Sequence, residues 1–245
     1  MIQMTSIENG AHAKFASQLA AAIAAQAEWP AFEAQLDLDE AYAMQHEVTR
    51  LHSGPNVGGI KAGVTDPTIQ KFLGLDHALL GSLYGSTRHK VGSTIPYLEG
   101  RMIETEIALM IDADGRPLAI APAIEFVRLK FSRPSDMSAP NLVVSNLGTE
   151  SFIVGEFLPW NEDLEDIPMV LRQEGEIVNE TNASLALGGP APAARWMHRE
   201  AIARGFEPSE ETVFLAGLCG VAVAANKADF TAEYGQLGAI SFGFE

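Results

Sequence analysis

The sequence predicts an α+β protein in which an N-terminal helical segment precedes a large β-rich core. Apolar residues recur at helical spacing through the first quarter of the chain, whereas alternation with a period of two predominates after Gly92. Helices first and many strands afterwards are typical of α+β proteins with a mixed or antiparallel sheet. We therefore expect a helical segment at residues 1–55 and a second domain at residues 56–245.

The composition excludes several classes of protein. The chain has 245 residues, of which 47% are hydrophobic, and this is enough to bury a core. A net charge of −16 makes nucleic acid and anionic membranes unsuitable partners, because both require a basic surface. The single cysteine, Cys219, excludes an intrachain disulfide and a thiolate metal cluster. The Ala-rich segment Lys14–Ala27 fits an amphipathic helix better than a secretory signal, so we expect a cytoplasmic protein.

Three helices are predicted in the first part of the chain. The first covers about Ala11–Ala27, where alanines and larger apolar residues follow a helical period. The second begins at Asp39, a suitable N-cap, and ends before Ser53-Gly54-Pro55. The third is short and is bounded by Asp66-Pro67 at its start and by Gly74 past its end.

Strands are predicted over most of the remaining chain. Residues 103–110 alternate with a period of two, Asp112-Ala113-Asp114-Gly115 is a turn signal, and Leu118–Leu129 is the second strand of a hairpin. The other predicted elements are strands at Asn141–Ser145, Ser151–Phe157, Met169–Arg172, Glu176–Asn179, Val213–Ala224 and Gly238–Phe244, and a helix at Ala191–Arg204.

The hairpin concentrates carboxylates. Glu104 and Glu106 would lie on the same face of a strand, roughly 7 Å apart. With Asp114-Gly115 as a two-residue turn, Glu104 would stand directly opposite Glu125. Pro117, just before the second predicted strand, and Pro122 within it make this ideal register less secure.

Three carboxylates on one patch require a physical explanation. Two such charges about 5 Å apart repel by roughly 3 kcal/mol at an effective dielectric constant near 20. A bound cation or the protonation of one carboxyl group would relieve this repulsion, and an all-oxygen ligand set favours Mg²⁺, Mn²⁺ or Ca²⁺ over zinc. The alternative is a solvated face of scattered glutamates in an acidic protein.

Lys61 is the second candidate for chemistry. It is surrounded by glycines and apolar residues in Gly58-Gly-Ile-Lys61-Ala-Gly. Desolvation lowers the pKa of a lysine and allows proton exchange near neutral pH, and glycines permit close approach to a small ligand. A lysine that extends its ammonium group into solvent from an edge strand explains the pattern equally well.

A set of short motifs resembles the 2-keto-4-pentenoate hydratase family of the fumarylacetoacetate hydrolase superfamily. The motifs follow the family's order over most of the chain. They are Gly59-Ile-Lys61-Ala-Gly-Val-Thr65-Asp-Pro, Leu73-Gly-Leu-Asp76, Glu104-Thr-Glu106-Ile-Ala-Leu, Pro122-Ala-Ile-Glu125, Leu187-Gly-Gly-Pro190, Phe214-Leu-Ala-Gly217 and Gly235-Gln-Leu-Gly238-Ala-Ile-Ser241. The resemblance implies a mixed β-sheet core of the fumarylacetoacetate hydrolase type.

The resemblance also implies an activity. Glu104, Glu106 and Glu125 look like the family's Mg²⁺ or Mn²⁺ ligands, and Lys61 looks like its proton-transfer residue. The expected reaction adds water to a small 2-hydroxy-2,4-dienoate in aromatic-compound catabolism, and we expect a homo-oligomer. The alternatives are a 4-oxalocrotonate-type decarboxylase, an acylpyruvate hydrolase and a non-catalytic paralogue that binds a 2-oxo acid. The hydrolase ranks lower, because the Asn-Tyr-x-x-His-x-x-Glu motif of that branch is missing.

Some positions depart from the family pattern. Only 18 residues separate Glu106 from Glu125, whereas relatives usually carry a longer insert. Leu79 stands where relatives commonly have an acid. The segment 145–151 resembles a pocket loop in altered form, and by this resemblance Asn146 and Thr149, together with Leu79, are assigned to substrate binding.

The altered positions also predict a preference for an uncharged distal group on the substrate. Leu79 supplies no polar contact, and Glu150 would repel a second carboxylate if it faced the pocket. Arg101 or Arg128 could receive such a carboxylate. We expect arginines so close to the glutamate strands to pair with glutamates instead.

Overall fold

The computed structural model describes residues 6–55 and 57–245, which form five α-helices and fourteen strands. The helices are α1 Ser6–Ala24, α2 Leu38–Ser53, α3 Pro67–Phe72, α4 Ala139–Val144 and α5 Pro190–Ala203. The strands are β1 Val57–Gly63, β2 Leu79–Tyr84, β3 Arg88–His89, β4 Thr94–Ile95, β5 Met102–Ile111, β6 Pro117–Val127, β7 Thr149–Val154, β8 Leu158–Pro159, β9 Pro168–Gln173, β10 Glu176–Asn182, β11 Phe214–Leu215, β12 Val223–Ala224, β13 Asp229–Glu233 and β14 Ala239–Phe244.

The strands form two mixed sheets. The nine-stranded sheet has the order β2-β1-β11-β5-β6-β7-β3, with β12 paired to β5 and β8 paired to β6. The five-stranded sheet has the order β10-β9-β13-β14-β4. Most neighbours are antiparallel, but β1 with β11, β3 with β7 and β4 with β14 are parallel. The prediction of an α+β fold with a mixed β core is confirmed.

The large sheet curls so that distant strands face each other. In a flat sheet, β1 and β6 would lie about 14 Å apart, because β11 and β5 separate them. Here β2 at one edge contacts β7 near the other edge, and side chains of β1 and β6 therefore meet inside the curve. Phe126 of β6 packs edge-to-face on Phe242 and Phe244 of β14, which joins the two sheets.

The N-terminal helices share the core of the large sheet. Leu19 of α1, Val48 of α2 and Ile107 of β5 belong to one continuous cluster of buried side chains. The predicted division between residues 55 and 56 falls next to Asn56, which lies outside the described residues.

Local capping signals decide the helix starts. The second helix begins with Asp37 as its N-cap, not Asp39, because Asp37 and Glu40 form a reciprocal capping box. The short α3 begins as predicted, with the Asp66 carboxylate accepting the backbone N–H groups of Thr68 and Ile69.

Two strand predictions are wrong, and several strands were missed. The predicted strand Asn141–Ser145 belongs to α4, because Ser138 caps the helix and Pro140 lies in its first turn. The predicted strand Val213–Ala224 contains only the short β11 and β12, separated by loop. Strands also precede Gly92, since β1, β2 and β3 lie in the part of the chain where only helices were predicted.

The β5–β6 hairpin has the predicted register at its functional end. Glu104 pairs with Glu125 across the ladder, and the pairing continues regularly to Met110 opposite Ala119. The turn differs from the two-residue expectation, since Asp112 N–H donates to the Arg116 carbonyl and a register shift follows Met110. The irregularity lies beyond the glutamates and leaves them opposed.

Within residues 6–55 and 57–245, each helix is either too short or too polar to cross a membrane.

Candidate active site

Three glutamates from one hairpin converge inside the curled sheet. Glu104 and Glu106 point from the same face of β5, and Glu125 faces them from β6. One oxygen from each lies within 4.8 Å of the others. Glu106 and Glu125 are fully buried and Glu104 is half-buried, so these carboxylates are not a solvated acidic face.

Neighbouring groups orient two of the three carboxylates. The backbone N–H of Gly217 donates to Glu106 Oε2 at 2.9 Å, and the Thr149 hydroxyl donates to Glu125 Oε1 at 2.9 Å. Glu106 Oε1 has no hydrogen-bond partner among the residues that the structure describes. A buried carboxylate oxygen without a partner is costly, and it marks a position for a further ligand.

The electrostatics of the cluster favour an added positive charge. Burial raises the pKa of Glu104 to about 7, against the lowering effect of Lys61 and with a further upward contribution from Glu125. Burial also raises the pKa of Glu106 well above its usual range, and the charges of Glu125 and Glu104 add to this shift. The buried carboxylates therefore outnumber the one ammonium group beside them, and a cation would restore the balance.

Lys61 completes the cluster from β1. Its Nζ lies 3.0 Å from Glu125 Oε2, and its side chain is only 2% exposed. Because β1 lies between β2 and β11, this lysine does not extend from an edge strand. Burial alone lowers the pKa of Lys61, but the charges of the three glutamates outweigh this effect and raise the pKa overall. From the sequence, desolvation is expected to lower the pKa of Lys61, and in the metal-free chain the shift is in the opposite direction.

The backbone close to Lys61 is tightly constrained. A Cβ on Gly63 would lie 2.9 Å from Leu147 Cδ1 and 3.3 Å from Lys61 Nζ, so a side chain here would crowd the ammonium group. Val64 and Leu147 both have positive φ angles, of 56° and 55°. Such a conformation is unusual for non-glycine residues, above all for a β-branched one, and strained residues cluster at functional sites.

Lys61 and Glu104 open onto a cavity of about 550 Å³. Gly63, Val64 and Leu147 also line it, so the strained backbone belongs to its wall. Its volume falls within the range of roughly 300–1,000 Å³ that is typical of small-molecule sites.

The three residues assigned to substrate binding lie elsewhere. Leu79 is fully buried in β2, and neither it nor Asn146 nor Thr149 lines this cavity. The Asn146 side chain bonds to the backbone N–H and carbonyl of Ser82, both at 2.7 Å, and so links the loop before β7 to β2. Thr149 contacts Glu125 instead of open space.

Glu150 is held between two arginines. Arg101 Nε lies 2.7 Å from one carboxylate oxygen of Glu150, and Arg128 Nη2 lies 2.5 Å from the other. None of the three residues lines the cavity. The arginines thus pair with a glutamate, and the supposed repulsion of a substrate by Glu150 has no structural basis.

Curated proteins match the sequence over most of its length. A 2-keto-4-pentenoate hydratase from Burkholderia vietnamiensis is 30% identical over 224 residues, which cover 83% of this chain and 85% of the relative. The chain belongs to the 2-keto-4-pentenoate hydratase family. A 4-oxalocrotonate decarboxylase from a Pseudomonas species is 24% identical over 208 residues, 79% of this chain and 80% of that protein. No family model matches the chain.

A solved structure extends the likeness to the fold. The 4-oxalocrotonate decarboxylase of Pseudomonas putida G7, complexed with magnesium and adipate, superimposes with a TM-score of 0.88 at 20% identity. The match covers the whole of both chains. The family and fold class predicted for this hydratase relative are confirmed.

Two glycines contribute to the site of this hydratase family member in ways that sequence reasoning missed. Gly217 holds Glu106 through its backbone N–H, and Gly63 leaves room beside Lys61. Both glycines belong to motifs that carried the family resemblance, so the signal was present. A motif does not tell which atom of a residue acts, and backbone contacts between distant strands appear only in the folded chain.

Proposed function

We propose that this protein is a divalent-metal-dependent hydratase that adds water to a 2-hydroxy-2,4-dienoate. The observation that carries the proposal is the cluster of Glu104, Glu106 and Glu125 with the buried Lys61 ammonium group beside it. The 30% identical relative named 2-keto-4-pentenoate hydratase supports the same reaction.

The donor set fits Mg²⁺ or Mn²⁺. The three glutamates offer carboxylate oxygens within 4.8 Å of one another, and hard divalent ions prefer such ligands. Glu106 Oε1 lacks a partner among the described residues, which leaves a lone pair available for a cation. When bound, the cation would supply Lewis acidity at the 2-oxygen of the substrate, and its charge would offset the carboxylates that raise the pKa of Lys61.

Lys61 is the proton carrier in this proposal. In the neutral form, Nζ would accept the proton of the substrate's 2-hydroxyl group, and a proton would be added at C5 to give the 2-oxo-3-enoate. Water would then add across C3 and C4, with the hydroxyl at C4 and the proton at C3. Lys61 is suited to this task, because it is almost fully buried and reaches the cavity that would hold the substrate.

Turnover of 2-hydroxypenta-2,4-dienoate tests the proposal. We expect loss of the dienoate absorbance in the presence of Mg²⁺ or Mn²⁺, none in excess chelator, and a 4-hydroxy-2-oxo acid as the product by mass spectrometry. Glu106→Gln should weaken Mg²⁺ binding at least tenfold, because the site loses a full charge. Glu233→Gln, an exposed glutamate paired with Arg172, is the matched control. Chelator-resistant turnover or an unchanged Mg²⁺ titration in Glu106→Gln would contradict the proposal.

A decarboxylase of the 4-oxalocrotonate type is the second candidate. The 24% identical relative of that name favours it. The same electron sink at C2 would collect the electrons of a breaking C–C bond, so the glutamates and Lys61 serve either reaction. Release of CO₂ from 2-oxohex-3-enedioate, at a rate above the hydration of the five-carbon dienoate, would favour this candidate.

A homo-oligomeric assembly and a cytoplasmic location accompany the proposed function as predictions. Light scattering and cell fractionation would test them.

A further inference from the structure

The cavity beside Lys61 is apolar beyond its polar end. Its wall is formed by side chains from several parts of the chain. They are Phe72 at the end of α3, Val127 and Leu129 at the end of β6 and just after it, and Met137, Leu147 and Leu185 from three later segments. We call these six residues the apolar wall. An apolar surface of this extent binds apolar groups, because their burial removes them from water.

Cations are scarce around this cavity. Among the described residues that line it, the charged ones are Lys61, Glu104 and Asp66. Asp66 caps α3 by accepting two backbone N–H groups, so its carboxylate serves the helix. Arg101 and Arg128 are paired with Glu150 outside the lining. A second carboxylate on a substrate would therefore lose its hydration without gaining a cationic partner.

The mouth of the cavity exposes large apolar side chains. Phe72 is 81% exposed, Leu185 is 62% exposed and Met137 is 47% exposed, and α3 buries none of its side chains. Exposed apolar residues that surround one opening are typical of a ligand-binding or interaction surface. A five-carbon acid is small for about 550 Å³ and would leave the apolar wall in contact with water.

We propose that the physiological substrate carries a bulky apolar substituent, alkyl or aryl, at the end distal to its 2-oxygen, and that the apolar wall binds it. The proposal rests on the proposed function, since it names the class of dienoate that this hydratase accepts. Each methylene buried against the wall should improve affinity about fourfold, until the tail reaches the mouth.

A binding series tests the wall separately from the chemistry. In Mg²⁺, calorimetry would measure the affinities of 2-oxopentanoate, 2-oxooctanoate, 2-oxo-4-phenylbutanoate and the dicarboxylate 2-oxohexanedioate. We expect the octanoate and phenyl acids to bind at least tenfold more tightly than the pentanoate, and the dicarboxylate to bind most weakly. Equal affinities, or a preference for the dicarboxylate, would overturn the proposal.

Turnover of the matching dienoates distinguishes the two proposals. If dienoates with hydrogen, pentyl or phenyl at C5 are all hydrated with equal kcat/KM, the hydratase function stands and the tail preference fails. If the long acids bind more tightly but no dienoate is hydrated, the wall is supported and the hydratase function fails.

Met137→Arg places a cation in the apolar wall. Because Met137 is half exposed, this change should not disrupt folding. We expect the octanoate affinity to fall at least tenfold and the dicarboxylate affinity to rise. Ile202→Arg, on the exposed face of α5 and away from the cavity, is the matched control and should leave both unchanged. Unchanged selectivity in Met137→Arg, together with a changed oligomeric state by light scattering, would show that the wall is covered by a second copy of the chain, and would refute the proposal.

Discussion

Two buried charge clusters flank the same β5–β6 hairpin, and they differ in how the protein compensates them. The glutamate cluster consists of Glu104, Glu106, Glu125 and the single cation Lys61. The arginine cluster consists of Arg101, Arg128 and the single anion Glu150. Both have an excess of one sign, but the glutamate cluster opens onto a cavity of about 550 Å³, whereas the space beside Arg128 and Glu150 is only about 20 Å³.

The arginine cluster is largely compensated by the protein itself. Its anion lies between the two cations, and Arg101 also donates to the Pro96 carbonyl at 2.9 Å. The Arg101 guanidinium lies 5.9 Å from the Phe126 ring centroid and 5.5 Å from that of Phe244. Among the described residues, Arg128 Nε has no hydrogen-bond partner, and Arg128 Nη2 is held only by its ion pair with Glu150.

The glutamate cluster is compensated less well. Like charges stand directly opposite one another across the ladder, which is destabilising. Among the described residues, Glu106 Oε1 has no hydrogen-bond partner, and Glu125 Oε2 is held only by its ion pair with Lys61. The comparison teaches that a buried excess of charge does not by itself indicate a ligand site. It does so where the protein's own groups do not compensate the charge and a cavity lies beside it. The following experiments test this difference.

The largest effect should come from removing the single cation of the glutamate cluster. Lys61→Met keeps the buried apolar stem and removes the ionisable group, so turnover should fall by about 10²–10⁴-fold. Metal binding should persist, because all three carboxylates remain. Steady-state kinetics and Mg²⁺ titration check this, with the exposed Lys90→Met as the control. A loss of turnover smaller than about fivefold would exclude Lys61 as the proton carrier.

Removing one carboxylate should have opposite effects on stability in the two clusters. Glu150→Gln leaves two buried guanidinium groups unpaired, and we expect a loss of roughly 3 kcal/mol in the free energy of unfolding. Glu106→Gln relieves repulsion, so the metal-free protein should be as stable as the wild type or more so. Urea denaturation in the presence of a chelator measures the free energy of unfolding of both variants. The surface control Glu233→Gln should change this free energy by close to zero. Equal destabilisation by the two changes would remove the distinction between the clusters.

The stability of the metal-free protein should fall as pH rises through the range in which Glu104 ionises. The folded-state pKa of Glu104 is about 7, above its usual value of 4.5, so the folded chain holds this proton more tightly than the unfolded chain. The protonated Glu104 therefore stabilises the folded chain fully below pH 4.5, and this stabilisation is lost by about pH 7. The free energy of unfolding should differ by roughly 3 kcal/mol between the two pH values. Glu104→Gln should flatten this part of the profile, and superimposable profiles for the two proteins would contradict the assignment.

The smallest effect concerns the space beside Lys61. Gly63→Ala would place a Cβ 3.3 Å from Lys61 Nζ and 2.9 Å from Leu147, and overpacking of this kind costs about 1–3 kcal/mol. We expect lower thermal stability and lower kcat. Gly10→Ala on α1 has no neighbour within 4 Å of the new Cβ and should be neutral or slightly stabilising. If the two variants have the same thermal stability and kcat, the space beside Lys61 is not needed for stability or activity.

Predictions succeeded where the physical signal is local. The opposition of Glu104 and Glu125 follows from a period of two and a turn signal a few residues away. The start of α3 follows from Asp66 and Pro67, which satisfy the first turn by themselves. The Asn141–Ser145 strand failed, because a short apolar run suits a strand or a helix, and the cap at Ser138 decided for the helix.

Predictions that required distant contacts were harder to make. The assignment of Leu79 and Asn146 to substrate binding stays a prediction, since Leu79 is fully buried in β2 and the Asn146 side chain bonds to the backbone of Ser82. The sign of the pKa shift of Lys61 was wrong, because the sequence shows the apolar neighbours of this residue in the chain but not the three carboxylates that surround it in space.

By itself, the sequence determined the α+β class, the family, and the identity and register of the three carboxylates. Each depends on chain neighbours, hydrophobic periodicity or motif order, and these can be read directly from the order of the residues. The tertiary structure alone decided that β1 meets β6, that Lys61 therefore contacts Glu125, and that Glu150 is neutralised by two arginines. The curl of the sheet sets these distances, and it results from packing the whole core at once.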